Sequence, residues 1–79
     1  MISSEQLKAG RVMLGWSAQE LADRAGVGPV TVRRYELMKG VPSGNSRILL
    51  KLQTTLEAAG IEFTGNPLKN PGVTLNLGG

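Results

Sequence analysis

Glycine limits this chain more than any other residue does. Gly15, Gly26, Gly40 and Gly60 divide residues 1–60 into stretches too short for long helices, and each stretch opens on a start signal of its own. Ser3-Ser4-Glu5-Gln6 has capping-box spacing, Ser3 to Gln6, and Leu7, Ala9, Val12, Met13 and Leu14 carry a first helix to Gly15. Ser17 and Glu20 repeat the device for a second helix, with Leu21, Ala22 and Ala25 at helical spacing and a stop at Gly26. The turn Gly26-Val27-Gly28 leads to Pro29, whose missing N–H suits the first position of a third helix, with Gly40 as its expected end. A fourth helix is predicted from about Arg47 to Ala59, with Ile48, Leu49, Leu52 and Leu56 as its apolar stripe and Gly60 closing it.

Beyond Gly60 the period changes. Ile61-Glu62-Phe63-Thr64 and Val73-Thr74-Leu75-Asn76-Leu77 alternate apolar with polar, as half-buried strands do, around the turn-rich segment Gly65–Gly72. The expected fold is mainly α: a small four-helix bundle carrying a helix-turn-helix, followed by a short C-terminal β-hairpin. Residues 1–60 form the expected helix-turn-helix domain, and residues 61–79 a hairpin extension suited to dimerisation. An isolated two-stranded hairpin is marginal in water, so its apolar face needs cover. Either the chain's own helices supply it, or Ile61, Phe63, Val73, Leu75 and Leu77 meet a second copy across an isologous interface.

The chain has no cysteine and no histidine, which removes disulfides, thiolate nucleophiles, the usual zinc sites and every triad that needs an imidazole base. The expectation is therefore a protein that is not an enzyme and uses no cofactor or metal. No apolar run spans a bilayer and no charged-then-apolar signal region opens the chain, so the expected setting is cytoplasmic, with no membrane partner. Nine Lys and Arg against six Asp and Glu give a formal charge of +3, which permits an anionic partner without demanding one. The placement of charge is more telling, because Arg33, Arg34 and Lys39 lie close together with only Glu36 opposing them.

A three-residue turn containing glycine forces the second and third helices to cross steeply, so that one lies across a DNA backbone while the other enters the major groove. At about 100° per residue, Val32 and Tyr35 fall on one side of the third helix. Val30, Arg33, Arg34 and Leu37 collect on the other. The outer face is thus two guanidiniums among aliphatic groups, suited to guanine O6 and N7, to phosphate and to a thymine methyl. Taken alone, an arginine pair is more often a solvated helix face; within this spacing it favours DNA. Lys39, Ser43, Asn45 and Arg47 are either an ordinary polar loop and helix start or phosphate contacts. Trp16 and Tyr35 are read as packing residues. Gly26-Val27-Gly28 follows a helix and lacks a further glycine, so a nucleotide-binding turn is rejected.

The residues Arg11, Leu14-Gly15-Trp16-Ser17, Glu20-Leu21-Ala22-Asp23-Arg24-Ala25-Gly26-Val27, Thr31-Val32-Arg33-Arg34-Tyr35-Glu36 and Gly40 resemble the phage-repressor-like, or Xre-type, helix-turn-helix regulators, over roughly residues 4–60. The resemblance implies a lambda-repressor-like domain that binds double-stranded DNA, usually as a homodimer on an inverted repeat. It implies base contacts from Pro29, Val30 and Arg34 with Arg33 beside them, and a supporting or phosphate-contacting role for Thr31. It also implies an ion pair of Arg11 with Glu36 that orients the helices. Two positions depart from the pattern. Ala18 stands where the family often has Gln, so Ser17, Gln19 and the amides of the second helix take over the phosphate, and Gly28 stands where a Ser or Thr cap is common. The function expected is a DNA-binding transcriptional regulator, a dimeric repressor. The alternative is a protein-interaction module, an antitoxin or antiactivator, built on the same scaffold with a protein partner.

Overall fold

Each helix begins where local chemistry starts it. In the computed structural model, which describes residues 1–77, α1 (Ser4–Met13) follows a complete capping box: Ser3 Oγ accepts from Gln6 N at 3.1 Å, and Gln6 Oε1 accepts from Ser3 N at 2.9 Å. α2 (Ala18–Ala25) has the same reciprocal pair, Ser17 with Glu20 at 3.0 and 3.1 Å, and ends on Gly26 in the left-handed region at φ 72°. A side chain with a Cβ is strained there, which is why glycine closes this helix. α3 (Pro29–Leu37) has Pro29 in its first turn and no side-chain cap. α4 (Ser46–Ala58) is capped by Asn45, whose Oδ1 accepts from Arg47 N at 2.9 Å.

The chain finishes in an antiparallel hairpin of β1 (Ile61–Thr64) and β2 (Gly72–Leu75), with Ile61 opposite Leu75 and Phe63 opposite Val73. The fold is therefore the four-helix bundle with helix-turn-helix and C-terminal hairpin that the periodicities predict, and the two strands pair within one chain.

The details differ from expectation at four places. α3 stops at Leu37, short of Gly40, because Met38 is already extended at ψ 158°, and Gly40 takes its φ of 66° inside the following loop. Val12 and Met13 are exposed and leave the core to Ile2 and Leu7. At about 100° per residue both point more than about 100° away from Leu7. β2 ends at Leu75, so Leu77 lies beyond the strand and is 87% exposed. Ile61, expected at a dimer interface, is 3% exposed and packs into the monomer's own core. Gly78 and Gly79, the end of the predicted 61–79 extension, lie outside the described residues.

One core serves both parts of the chain. Leu7, Leu21, Ala22, Val32, Tyr35, Leu49, Leu52, Leu56 and Ile61 are buried together with Ile2, and Phe63, Val73 and Leu75 pack against them. The hairpin turns this half-buried face to α1 and α4 and leaves Glu62, Thr64 and Thr74 to solvent. Gln6 fastens it. While its Oε1 completes the α1 cap, its Nε2 donates to Thr64 O at 3.1 Å and to Gly72 O at 3.0 Å, bridging the last pair of the ladder. Gly10 lets α1 approach the strands, since a Cβ there would stand 3.3 Å from Ile61 Cγ2 and 3.4 Å from Phe63. Against this frame the pair α2–α3 is packed on α4 and α1.

Candidate nucleic-acid interface

The turn Gly26-Val27-Gly28 joins two helices whose buried residues face each other, Leu21 and Ala22 on α2 and Val32 and Tyr35 on α3. Only two of the nine residues of α3 are buried, so most of its surface is left over after packing. Arg33 and Arg34 are exposed, Val30 is 70% exposed and Leu37 85%. Both side chains are left in water, adding apolar contact area beside the two guanidiniums. Pro29 and Thr31 are half-buried at the start of the same helix.

What holds α3 at its angle is an ion pair. Arg11 Nε and Nη2 donate to Glu36 Oε2 and Oε1 at 2.7 and 2.9 Å, a bidentate fork, while Arg11 Nη1 donates to Trp16 O at 2.8 Å. One guanidinium thus ties the end of α1, the α1–α2 loop and the last turn of α3. The hydrogen bond with Glu36 raises the Arg11 pKa above its ordinary value; burial acts the other way, and the charge of Glu36 adds to the rise. The side chains are 14% and 8% exposed, so neither charge is well hydrated without the other. Tyr35 Oη donates to Asn45 O at 3.3 Å and so sets the entry to α4, and the Arg34 guanidinium lies 5.8 Å from the Tyr35 ring centroid. Trp16 packs at the core edge beneath Arg24, 4.3 Å from its ring centroid.

The remaining predicted contact residues fall into two groups. Ser17 and Gln19 are exposed at the start of α2, but the Ser17 hydroxyl is engaged in the capping box and Gln19 Nε2 donates to Asp23 Oδ1 at 2.9 Å. The amides of Ala18 and Gln19 are first-turn donors without a helical partner. Glu20 places a carboxylate at this same end of the helix. In the α3–α4 connection Lys39, Ser43, Asn45 and Arg47 are all exposed, with Asn45 Oδ1 taken up by the α4 cap.

Two features escape a helix-by-helix reading of the sequence. From Pro29 to Leu56 the only acidic residue is Glu36, already held by Arg11, against the cations Arg33, Arg34, Lys39, Arg47 and Lys51. None of these five has an ion-pair partner among the described residues. The second feature is Lys8, which shares with Arg33 and Leu37 a shallow groove between α1 and α3, floored by Arg11, Ala18 and Glu36. Its position one turn before Arg11 is the signal that could have found it.

A packed helix pair, a three-residue turn and a second helix with its outer face unused by packing define a helix-turn-helix protein. The helix-turn-helix family model matches residues 7–46, just over half of the chain. The chain belongs to this family, the Xre-type helix-turn-helix DNA-binding regulators, which as a rule are not enzymes. No curated protein matches the chain. Among the described residues no helix is long and apolar enough to cross a membrane.

Proposed function

We propose that this protein is a sequence-specific transcriptional regulator of the cytoplasm that binds as a homodimer to an inverted-repeat operator and represses by occupying it. The observation that carries the reading is the outer face of α3, where Arg33 and Arg34 stand without acidic partners between the exposed Val30 and Leu37. Arg34 and Arg33 are the residues that read base edges, as guanidinium forks matched to guanine O6 and N7, while Pro29 and Val30 make apolar contacts at the helix tip. Lys39, Ser43 and Arg47 take phosphates, which fix register without carrying sequence. Asn45, Gln19 and Ser17 have side-chain groups engaged in capping or in a helical pair, so their phosphate contacts are through backbone amides or the group left over. Thr31 supports the start of α3.

The expectation of a homodimer rests on affinity. A single small domain makes few base contacts, and two protomers placing α3 in successive major grooves about 34 Å apart combine two modest half-sites into one operator. Phe63, Val73 and Leu75 are half-buried against the chain's own helices and Leu77, beyond β2, is exposed, so the second copy is proposed to meet the edge of the hairpin that these residues leave accessible. The test is selection of bound sequences from a random duplex pool, with the mass of the free protein measured by light scattering. A palindromic consensus and a two-chain mass support the proposal. Sequences no different from the starting pool overturn DNA reading, and a one-chain mass at working concentration overturns the free dimer.

A further inference from the structure

The tip of the C-terminal hairpin is far from α3 in sequence, yet it ends beside the loop that leaves that helix. Leu68 lies directly over Gly40, where a Cβ would stand 3.0 Å from Leu68 Cδ2, and Gly40 is the residue after Lys39. The same glycine accepts through its carbonyl from Ser4 N at 2.8 Å, so α1, the α3–α4 loop and the hairpin tip meet at one point.

The tip is also closed by hydrogen bonds of its own. Asn66 Oδ1 accepts from Leu68 N at 2.9 Å, Asn70 Oδ1 accepts from Asn66 N at 2.7 Å, and Asn66 O accepts from Lys69 N and Asn70 N at 3.2 and 3.0 Å. At its base a side chain on Gly65 would overlap the Asn70 carbonyl. While each side-chain oxygen accepts inside the turn, the NH2 groups of Asn66 and Asn70 make no hydrogen bond among the described residues and are available as donors. Between them stands the exposed Lys69, the one charged residue from Phe63 to Gly79. The exposed polar side chains of this turn are therefore free as donors. On the hairpin itself Glu62 accepts from Asn76 Nδ2 at 3.3 Å, on α1 Glu5 lines a groove with Lys8 and Val12, and Glu36 is held by Arg11; none forms an ion pair with Lys69.

We propose that the hairpin tip, through Lys69 with the amide groups of Asn66 and Asn70, is a second phosphate clamp of the DNA interface, continuing the backbone contact begun at Lys39. The proposal rests on the DNA-binding reading above. Its chemistry is that of an oligoanion with regularly placed phosphates: a pre-ordered donor surface beside the exit of the reading helix gains affinity with little ordering cost. It carries no sequence information. In this assignment the hairpin is one arm of a grip whose other arm is the α3–α4 loop, and its fastening by Gln6 sets where the tip meets the duplex.

The test compares the wild-type protein with Lys69→Gln and Lys69→Glu on two probes, a random-sequence duplex and a duplex enriched by selection, titrated over a range of salt concentrations. Lys69 is exposed and makes no side-chain hydrogen bond among the described residues, so both variants are expected to melt as the wild type does. The expected result is a loss of about three- to ten-fold for Lys69→Gln near 0.1 M salt, the same on both probes, with the salt slope reduced by about 0.9. Lys69→Glu loses more. Affinities and slopes equal to wild type for both variants, with the wild-type protein still preferring the enriched duplex, overturn the clamp and leave the DNA-binding reading in place. If the wild-type protein binds neither duplex, both fall together.

Discussion

Helices α2 and α3 are joined by three residues and are nearly equal in length, but they are made in different ways. α2 contains its own instructions: a capping box at Ser17 and Glu20, Leu21 and Ala22 at the start of its buried side, and a left-handed glycine at its end. α3 has Gly28 where a cap would be, only Pro29 as a start signal, and an extended residue at its C-terminus. It holds its shape through tertiary ties, the burial of Val32 and Tyr35 and the fork from Arg11 to Glu36. A helix held from behind has a front that folding does not specify. That front is where Arg33, Arg34, Val30 and Leu37 stand, the surface that the proposed reading gives to DNA.

The contrast can be broken most forcefully at Arg11. Arg11→Ala leaves the Glu36 carboxylate without its partner in a poorly hydrated place and releases both α3 and the Trp16 carbonyl, so a loss of about 2–4 kcal/mol is expected in denaturant unfolding. Arg11→Lys is not an adequate repair, because an ammonium cannot supply the fork. The sign of the Arg11 pKa shift adds a condition. A raised pKa contributes stability that is fully present below the ordinary arginine value and fades only as pH rises through the higher folded-state value, so Arg11 stays charged throughout any DNA titration near neutrality.

The second effect in size belongs to α2. Ser17→Ala removes the acceptor for Glu20 N and is expected to cost about 1 kcal/mol, read as a lower denaturation midpoint with unchanged slope. The smallest belongs to the start of α3. Gly28 has φ −74° and ψ 142°, ordinary for any residue, and a Cβ there meets only Thr31 Oγ1 at 3.7 Å. Gly28→Ser is therefore expected to stabilise the protein by a few tenths of a kcal/mol, roughly the margin of serine over glycine at a cap. A destabilisation by the same change would show that α3 needs a bare start.

How much of this was legible depended on whether a feature is local. Both capping boxes, Pro29, the closing Gly26 and the alternation within each strand are decided within a few residues, and each reads directly from the chain; the register that sets Ile61 opposite Leu75 does not. The two faces of α3 follow from helical geometry alone. The exit of α3 did not read correctly, because Gly40 looks like a helix stop but supplies a left-handed bend two residues after the chain has already extended at Met38. Nor did the work of Gln6. Glutamate caps a helix as well as glutamine does, as Glu20 shows, but only an amide can also donate to the carbonyls of Thr64 and Gly72, and that need comes from strands far along the chain. For the candidate interface, residue types and spacing point to Arg33 and Arg34. The assembly of Lys8 beside Arg33, and of Leu68 over Gly40, exists only once the chain is folded.

Sequence reading by the outer face of α3 is open to a single substitution. Arg34→Ala tests it most directly, by titrating wild type and variant against an enriched duplex and a random one at the same salt concentration, with thermal melts run in parallel. Expected are an unchanged melt, a loss of about 1–3 kcal/mol on the enriched duplex and a smaller loss on the random one, so that the preference between them narrows. A variant that keeps the full wild-type preference would contradict it.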